Sequence, residues 1–413
     1  MNCSWVYLIV CGLIGLLASC LVIGQQIDTI CRIVQRHGLE CQVHRVVTAD
    51  GYQLTIERIP VSSNQSCDAA RRRPFVLMHG LIGSAGDFVT TGMGQSLAFR
   101  LHRQCFDVWL PNARGTTYSR SHRLLQTNQA AFWHFSWHEI GIYDLPAIVD
   151  YVLGQTGHSQ LHYVGHSQGT TVLLVLLSQR PEYNVRFANV ALMAPVAFLK
   201  HLSSPPLRLL ASDSRAVTLL LNQLGLHELL PATALTQVGG QYFCSSSLPT
   251  YALCTLFTSL YVGFSDYPLD RNIFPRILQT TPAGISRRQL QHFGQLINSG
   301  NFQQYDYRSP RLNQLRYGQV VPPSYQLGNV RLQRLQIFYG TRDALASQAD
   351  VQRLVRELST SNSRSISLYQ VRGYNHIDFL FASTAPKIVY DRIIQQAWQF
   401  DTAIPAAGAA AGR

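Results

Sequence analysis

The chain has 413 residues, of which 46% are hydrophobic and only 14% charged, so it can bury a sizeable core; global disorder and a coiled coil are excluded. The formal net charge of +12 comes almost wholly from arginine, because Lys200 and Lys387 are the only lysines. The arginines are scattered, and Arg71-Arg72-Arg73 has no basic-aromatic recognition motif around it, so nucleic acid is not expected as a partner.

Trp5 to Gly24 is nearly all apolar and reads as a cleaved secretory signal over residues 1–24, with an uncleaved signal anchor as the alternative. Small residues suited to cleavage occur at Ala18-Ser19-Cys20 and Val22-Ile23-Gly24, although no Lys or Arg precedes the run. A secretory start predicts an oxidising compartment for Cys31, Cys41, Cys67, Cys105, Cys244 and Cys254. The close pairs Cys31/Cys41 and Cys244/Cys254 are the favoured bridges, and the lack of C-x-x-C spacing argues against zinc. Asn64-Gln65-Ser66 is a glycosylation sequon in a polar, loop-like stretch, which makes Asn64 the candidate site.

The elements that follow predict an α/β protein with a mostly parallel sheet. Gln42 to Thr48 and Gln53 to Ile59 alternate in hydropathy and meet at Asp50-Gly51, a hairpin signal. Short apolar strands are predicted at Phe75–Met78, Phe106–Leu110, Leu161–Val164, Val190–Met193, Leu335–Tyr339 and Ile366–Val371. Helical patterns cover Ile140–Leu153, Thr170–Gln179 and Asp350–Leu358. From about Lys200 to Asn329 the strand rhythm stops, and leucine-rich segments predict a helical insertion. The expected organisation is a core of 25–199 and 331–402, a cap of 200–330 and a flexible tail of 403–413.

Gly165-His166-Ser167-Gln168-Gly169 fits G-x-S-x-G, follows an apolar strand and enters a helix. That context suits a sharp turn that presents a nucleophilic serine, although the same pattern also occurs in inert strand-to-helix turns. Serine needs a base oriented by a carboxylate, with chain order Ser, Asp/Glu, His in this type of fold. Asp343 lies just past the strand Leu335–Tyr339; Asp350 is the rival but reads better as the N-terminal charge of a helix. His376 follows the next strand and is the only histidine after His292, which makes it the candidate base. Backbone amides of Leu81, in the loop after Phe75–Met78, and of Gln168 are the candidate oxyanion donors, with His79 shaping that loop.

Taken together, Asp50-Gly51-Tyr52, His79-Gly80-Leu81, Asn112-Ala113-Arg114-Gly115, Phe132-Trp133-His134-Phe135-Ser136, Tyr143-Asp144-Leu145-Pro146-Ala147, the serine motif and Tyr374-Asn375-His376 resemble the acid lipase family of gastric and lysosomal type, in the style of its insect members. The resemblance spans roughly residues 28 to 400. It implies an α/β-hydrolase fold with an inserted helical cap and lid, a Ser167–Asp343–His376 triad, oxyanion donors at Leu81 and Gln168, and a cap disulfide between Cys244 and Cys254. Cys31, Cys41, Cys67 and Cys105 and the single sequon beyond the signal segment depart from the family pattern. The implied activity is hydrolysis of triacylglycerol or cholesteryl ester at an oil–water or membrane interface, without cofactor, metal or obligate protein partner. An esterase on small soluble esters and a non-catalytic lipid-binding relative are the alternatives. Secretion, into a gut lumen for example, is the expected destination, with the lysosome as the alternative. The lid is expected within Leu207 to Leu230, with Leu219 and Leu220 as lipid contacts.

Overall fold

Two alternating strands open the sheet. β1 (Gln42–Val47) and β2 (Tyr52–Ile59) pair antiparallel, with Gln42 opposite Arg58 and Val47 opposite Gln53. The strands that follow carry continuous apolar runs because helices cover both of their faces. They are β3 (Pro74–Met78), β4 (Asp107–Pro111), β6 (Leu161–His166) and β7 (Phe187–Met193); the two-residue β5 (Ser121–His122), polar and partly exposed, comes between β4 and β6 in the chain. Every residue of β3, β4, β6 and β7 is buried. Farther along the chain come β8 (Glu228–Leu229) and β9 (Ile285–Ser286), a short ribbon, and then β10 (Leu335–Gly340) and β11 (Ile366–Val371). The main sheet has nine strands in the order β1-β2-β4-β3-β6-β7-β10-β11, with β5 on β2. It is parallel from β4 through β11 and antiparallel where β2 meets β1, β4 and β5.

This computed structural model describes residues 30–61, 67, 73–212, 223, 225–233, 235–267, 269–362 and 365–403. The Trp5–Gly24 segment, the Asn64 sequon, Leu219, Leu220 and the tail beyond residue 403 lie outside the described residues. Ala403 itself ends a helix, Asp391–Ala403.

The predicted strands are present, with shifted ends. β7 begins at Phe187, three residues before the apolar run, because the buried polar Asn189 interrupts the pattern. The helix read as Ile140–Leu153 is not uniform. A wide turn over Ile140–Asp144, in which the Leu145 N–H bonds Ile140 O, precedes a regular helix Leu145–Thr156. Pro146 has no N–H to give to a preceding turn, which suits a local change of pitch. The turn also sets Asp144 against Arg114, described below. Between β7 and β10, residues 194–334 contain the helices Pro205–Ser212, Tyr251–Val262, Arg287–Ser299 and Pro310–Tyr317 and the short β8–β9 ribbon. Disulfides join Cys31 to Cys41 and Cys244 to Cys254, and Cys67 pairs with Cys105.

Candidate active site

β6 delivers Ser167 into a backbone conformation that side chains rarely adopt, φ +53° and ψ −118°, before the helix Gln168–Gln179 starts. Such a conformation costs about 1–3 kcal/mol and persists only where the surroundings enforce it. Here the Ser167 N–H donates to Met193 O at 3.0 Å, and Thr170 N–H returns to Ser167 O at 2.8 Å. The flanking glycines are required by packing. A Cβ at Gly165 would sit 2.7 Å from the Gly169 carbonyl carbon, and one at Gly169 would sit 2.2 Å from Met78 O.

Asp343 and His376 arrive on the loops after β10 and β11. His376 Nδ1 lies 2.9 and 3.0 Å from the two Asp343 carboxylate oxygens, and its Nε2 lies 2.7 Å from Ser167 Oγ. A carboxylate only accepts, so the Nδ1 proton points to Asp343 and Nε2 is left to accept from the serine hydroxyl. All three side chains are buried. Asp343 Oδ1 also accepts the N–H groups of Leu345 and Ala346, both at 2.8 Å. Asp350 is elsewhere: it accepts from His201 N–H at 2.8 Å and from Ser347 Oγ at 3.0 Å, at the start of the helix Gln348–Asn362.

The other candidates lie in the loop after β3 and at the start of the helix after β6. Gln168 is the first residue of its helix, where an amide has no intrahelical acceptor. Leu81 lines the same cleft as Ser167. His79 shapes this loop: Nε2 accepts from Ala113 N–H at 3.1 Å, which leaves Nδ1 to donate to Gly80 O at 2.8 Å. Burial lowers its pKa to about 4, so the ring stays neutral. His166 is likewise held neutral, with a pKa lowered to about 3 by burial and then by His376, and its Nε2 bonds His376 O at 2.8 Å.

Several motifs that carried the resemblance converge behind this loop. Arg114 is buried between Asp144, at 2.6 Å, and Asp50, also at 2.6 Å, and its guanidinium lies 4.0 Å from the Tyr52 ring centre. The Tyr52 hydroxyl donates to Phe132 O. The cluster anchors the Asn112–Arg114 loop, and through Ala113 that loop holds His79.

Other supports were not read from the sequence. The helix Tyr251–Val262 ends on the loops of Asp343 and His376, where Val262 O accepts the N–H groups of both Ala344 and His376 at 3.2 Å. Asn375 Nδ2 donates to Gly263 O at 2.9 Å, while Asn375 Oδ1 takes the N–H groups of Ile377 and Asp378. Gln289 Nε2 donates to the side chain of Gln168 at 3.1 Å. The one available signal was a glycine, Gly263, directly after an apolar helix. Ser167 opens into a cleft lined by apolar side chains that include Leu199, Leu207, Leu290, Ile297 and Leu345. No metal-ligating group of His, Cys, Asp or Glu occurs among the described residues.

A buried serine joined through histidine to aspartate, at the carboxyl ends of a parallel sheet, defines a hydrolase of the α/β type. Residues 73–383 match the family described as alpha/beta hydrolase fold, and residues 30–92 match the partial alpha/beta-hydrolase lipase region. Lipase 3 of Drosophila melanogaster is 38% identical over 368 residues, covering 89% of this chain and 92% of the relative. Gastric triacylglycerol lipase of Rattus norvegicus is 35% identical, covering 88% of this chain and 90% of the relative. In fold, a peroxisomal alpha-beta-hydrolase of Saccharomyces cerevisiae superposes with a TM-score of 0.50 at 15% identity, over 91% of this chain and 92% of that one. The chain belongs to the α/β-hydrolase lipase family. It is a carboxylic ester hydrolase.

Proposed function

We propose that Ser167, His376 and Asp343 are the nucleophile, base and orienting acid of a lipase that cleaves neutral-lipid esters, triacylglycerols or cholesteryl esters. The observation that carries this reading is the hydrogen-bonded line from Asp343 through His376 to Ser167, opening into an apolar cleft. His376 takes the serine proton as Oγ attacks the ester carbonyl, and the Leu81 and Gln168 amides receive the oxyanion. Each preorganised donor of this kind contributes about 3 kcal/mol to the barrier difference. His376 then protonates the departing alcohol, and water releases the acid from the acyl-enzyme. The reading extends to the organisation of the chain, with residues 25–199 and 331–402 as core and 200–330 as cap. It also includes a Cys244–Cys254 bridge within that cap and a secreted destination.

Replacing Ser167 with alanine is expected to abolish ester hydrolysis and leave the circular dichroism spectrum unchanged. Persistent turnover by a normally folded variant would overturn the assignment. Esterase action on small soluble esters is the competing reading. The apolar lining of the cleft and the apolar outer face of the helix Tyr251–Val262 favour lipid. Comparing short soluble with long emulsified esters separates the two.

A further inference from the structure

The helix Arg287–Ser299 borders a second cleft of opposite character. Arg287, Arg288 and Arg316 meet there with His134 and His227, and no carboxylate is among the described residues that line it. Elsewhere in the molecule arginines take acidic partners, as Arg58 does with Asp107 and Arg120 with Glu228. These three have none among the described residues. Arg288 instead stacks 4.3 Å from the Tyr305 ring centre and 5.0 Å from that of Tyr307, and Arg316 lies 5.8 Å from the latter. Arg287 Nη1 is buried with no hydrogen-bond partner among the described residues. Burial, followed by Arg288, His227 and Arg287, lowers the pKa of His134. Cations gathered without counter-charge form a site complementary to an anion.

Arg287 and Gln291 line both this cleft and the apolar cleft of Ser167, in which Arg287 is the only charged residue among the described lining. Ester hydrolysis turns a neutral substrate into a carboxylate, and an apolar cleft holds a carboxylate poorly. We propose that the basic cleft binds the carboxylate of the fatty-acid product, which passes from the ester cleft by Arg287 and is held by Arg288 and Arg316. This rests on the lipase reading above. The site would make the product a competitor for the enzyme that released it.

The test measures binding to the Ser167→Ala protein by calorimetry, so that no turnover is needed and a failure here is distinct from a failure of the nucleophile assignment. The probes are decanoate, decanol, which has the same chain without charge, and decyl phosphate. Decanoate is expected to bind more tightly than decanol. Arg288→Gln combined with Arg316→Gln is expected to weaken decanoate by about fivefold or more and to leave decanol unchanged. The lysine pair at the same positions, which keeps the charge, is expected to retain most of the affinity. Should the double variant misfold, Arg316→Gln alone, at an exposed position, carries the test. Undiminished decanoate binding in a folded glutamine variant overturns the proposal. So does a marked preference for decyl phosphate, which would assign the cleft to a phospholipid head group.

Discussion

At the scale of single residues, the two candidate acids make opposite predictions. Asp343 fixes the tautomer of His376, so Asp343→Asn is expected to lower turnover by roughly 10³–10⁴-fold. Asp350 ties a helix start to His201, so Asp350→Asn should cost about 1 kcal/mol of stability and leave turnover largely unchanged. Kinetics and denaturation of the two purified variants decide between these assignments. Buried ionisable groups also make stability depend on pH. Burial raises the Glu57 pKa from 4.5 to about 7, with Asn112 Nδ2 donating to its carboxylate at 2.8 Å. The folded protein therefore holds this proton more tightly than the unfolded chain, and the stabilisation this gives is lost as pH rises from 4.5 towards 7. His79 and His166 act in the opposite sense, because their lowered pKa values favour the fold above 6.5 and lose that advantage in acid. The Glu57→Gln difference isolates one contribution from the other. It should be stabilising by about 2–3 kcal/mol at mildly alkaline pH and vanish in acid. A difference independent of pH would show that Glu57 titrates as an ordinary carboxyl.

At the scale of elements, the inner parallel strands were legible because burial on both faces leaves mostly apolar runs that end near Gly, Pro or Asn, whereas the edge strand β11 is only partly buried. The three candidate triad positions could be picked out for a related reason: each sits just past a strand, in a fixed order. The supports of the site were not, because their partners are distant in sequence. Nothing near Gln168 announces Gln289, and nothing near His376 announces Val262. The inserted segment was legible only in outline, since exposed leucines and two-residue strands blur any period. Gly263 shows how closely that segment meets the site. Its φ is +104°, and a Cβ there would lie 2.0 Å from Arg342 O, one residue before Asp343. Gly263→Ala is therefore expected to shift the loops of Asp343 and His376 and to cut turnover at least tenfold, about 1.4 kcal/mol or more in barrier. Near-normal turnover in this variant would show that those loops hold their geometry without the helix.

At the scale of the whole molecule, the helix Tyr251–Val262 has one apolar face turned outward, with Leu253 58% and Phe257 62% exposed and Leu256 and Leu260 beside them at helical spacing. An exposed apolar face of this kind is normally a contact surface. If it meets lipid, as the proposed function requires, Leu256→Ser with Phe257→Ser should depress hydrolysis of emulsified long-chain ester several-fold more than that of a soluble short-chain ester. Equal loss on both would make these side chains supports of the site. The sheet adds a kinetic consequence. β7 and β10 lie side by side, Met193 against Phe338, although residues 194–334 separate them in the chain. Closing so long a loop is slow compared with forming the local hairpins and β-α-β units that precede it. Asp343 and His376 both lie beyond that closure and Ser167 before it. A chain emerging from the ribosome thus carries its candidate nucleophile long before its candidate base, and the hydrogen-bonded line from Asp343 through His376 to Ser167 can form only when the last strands dock.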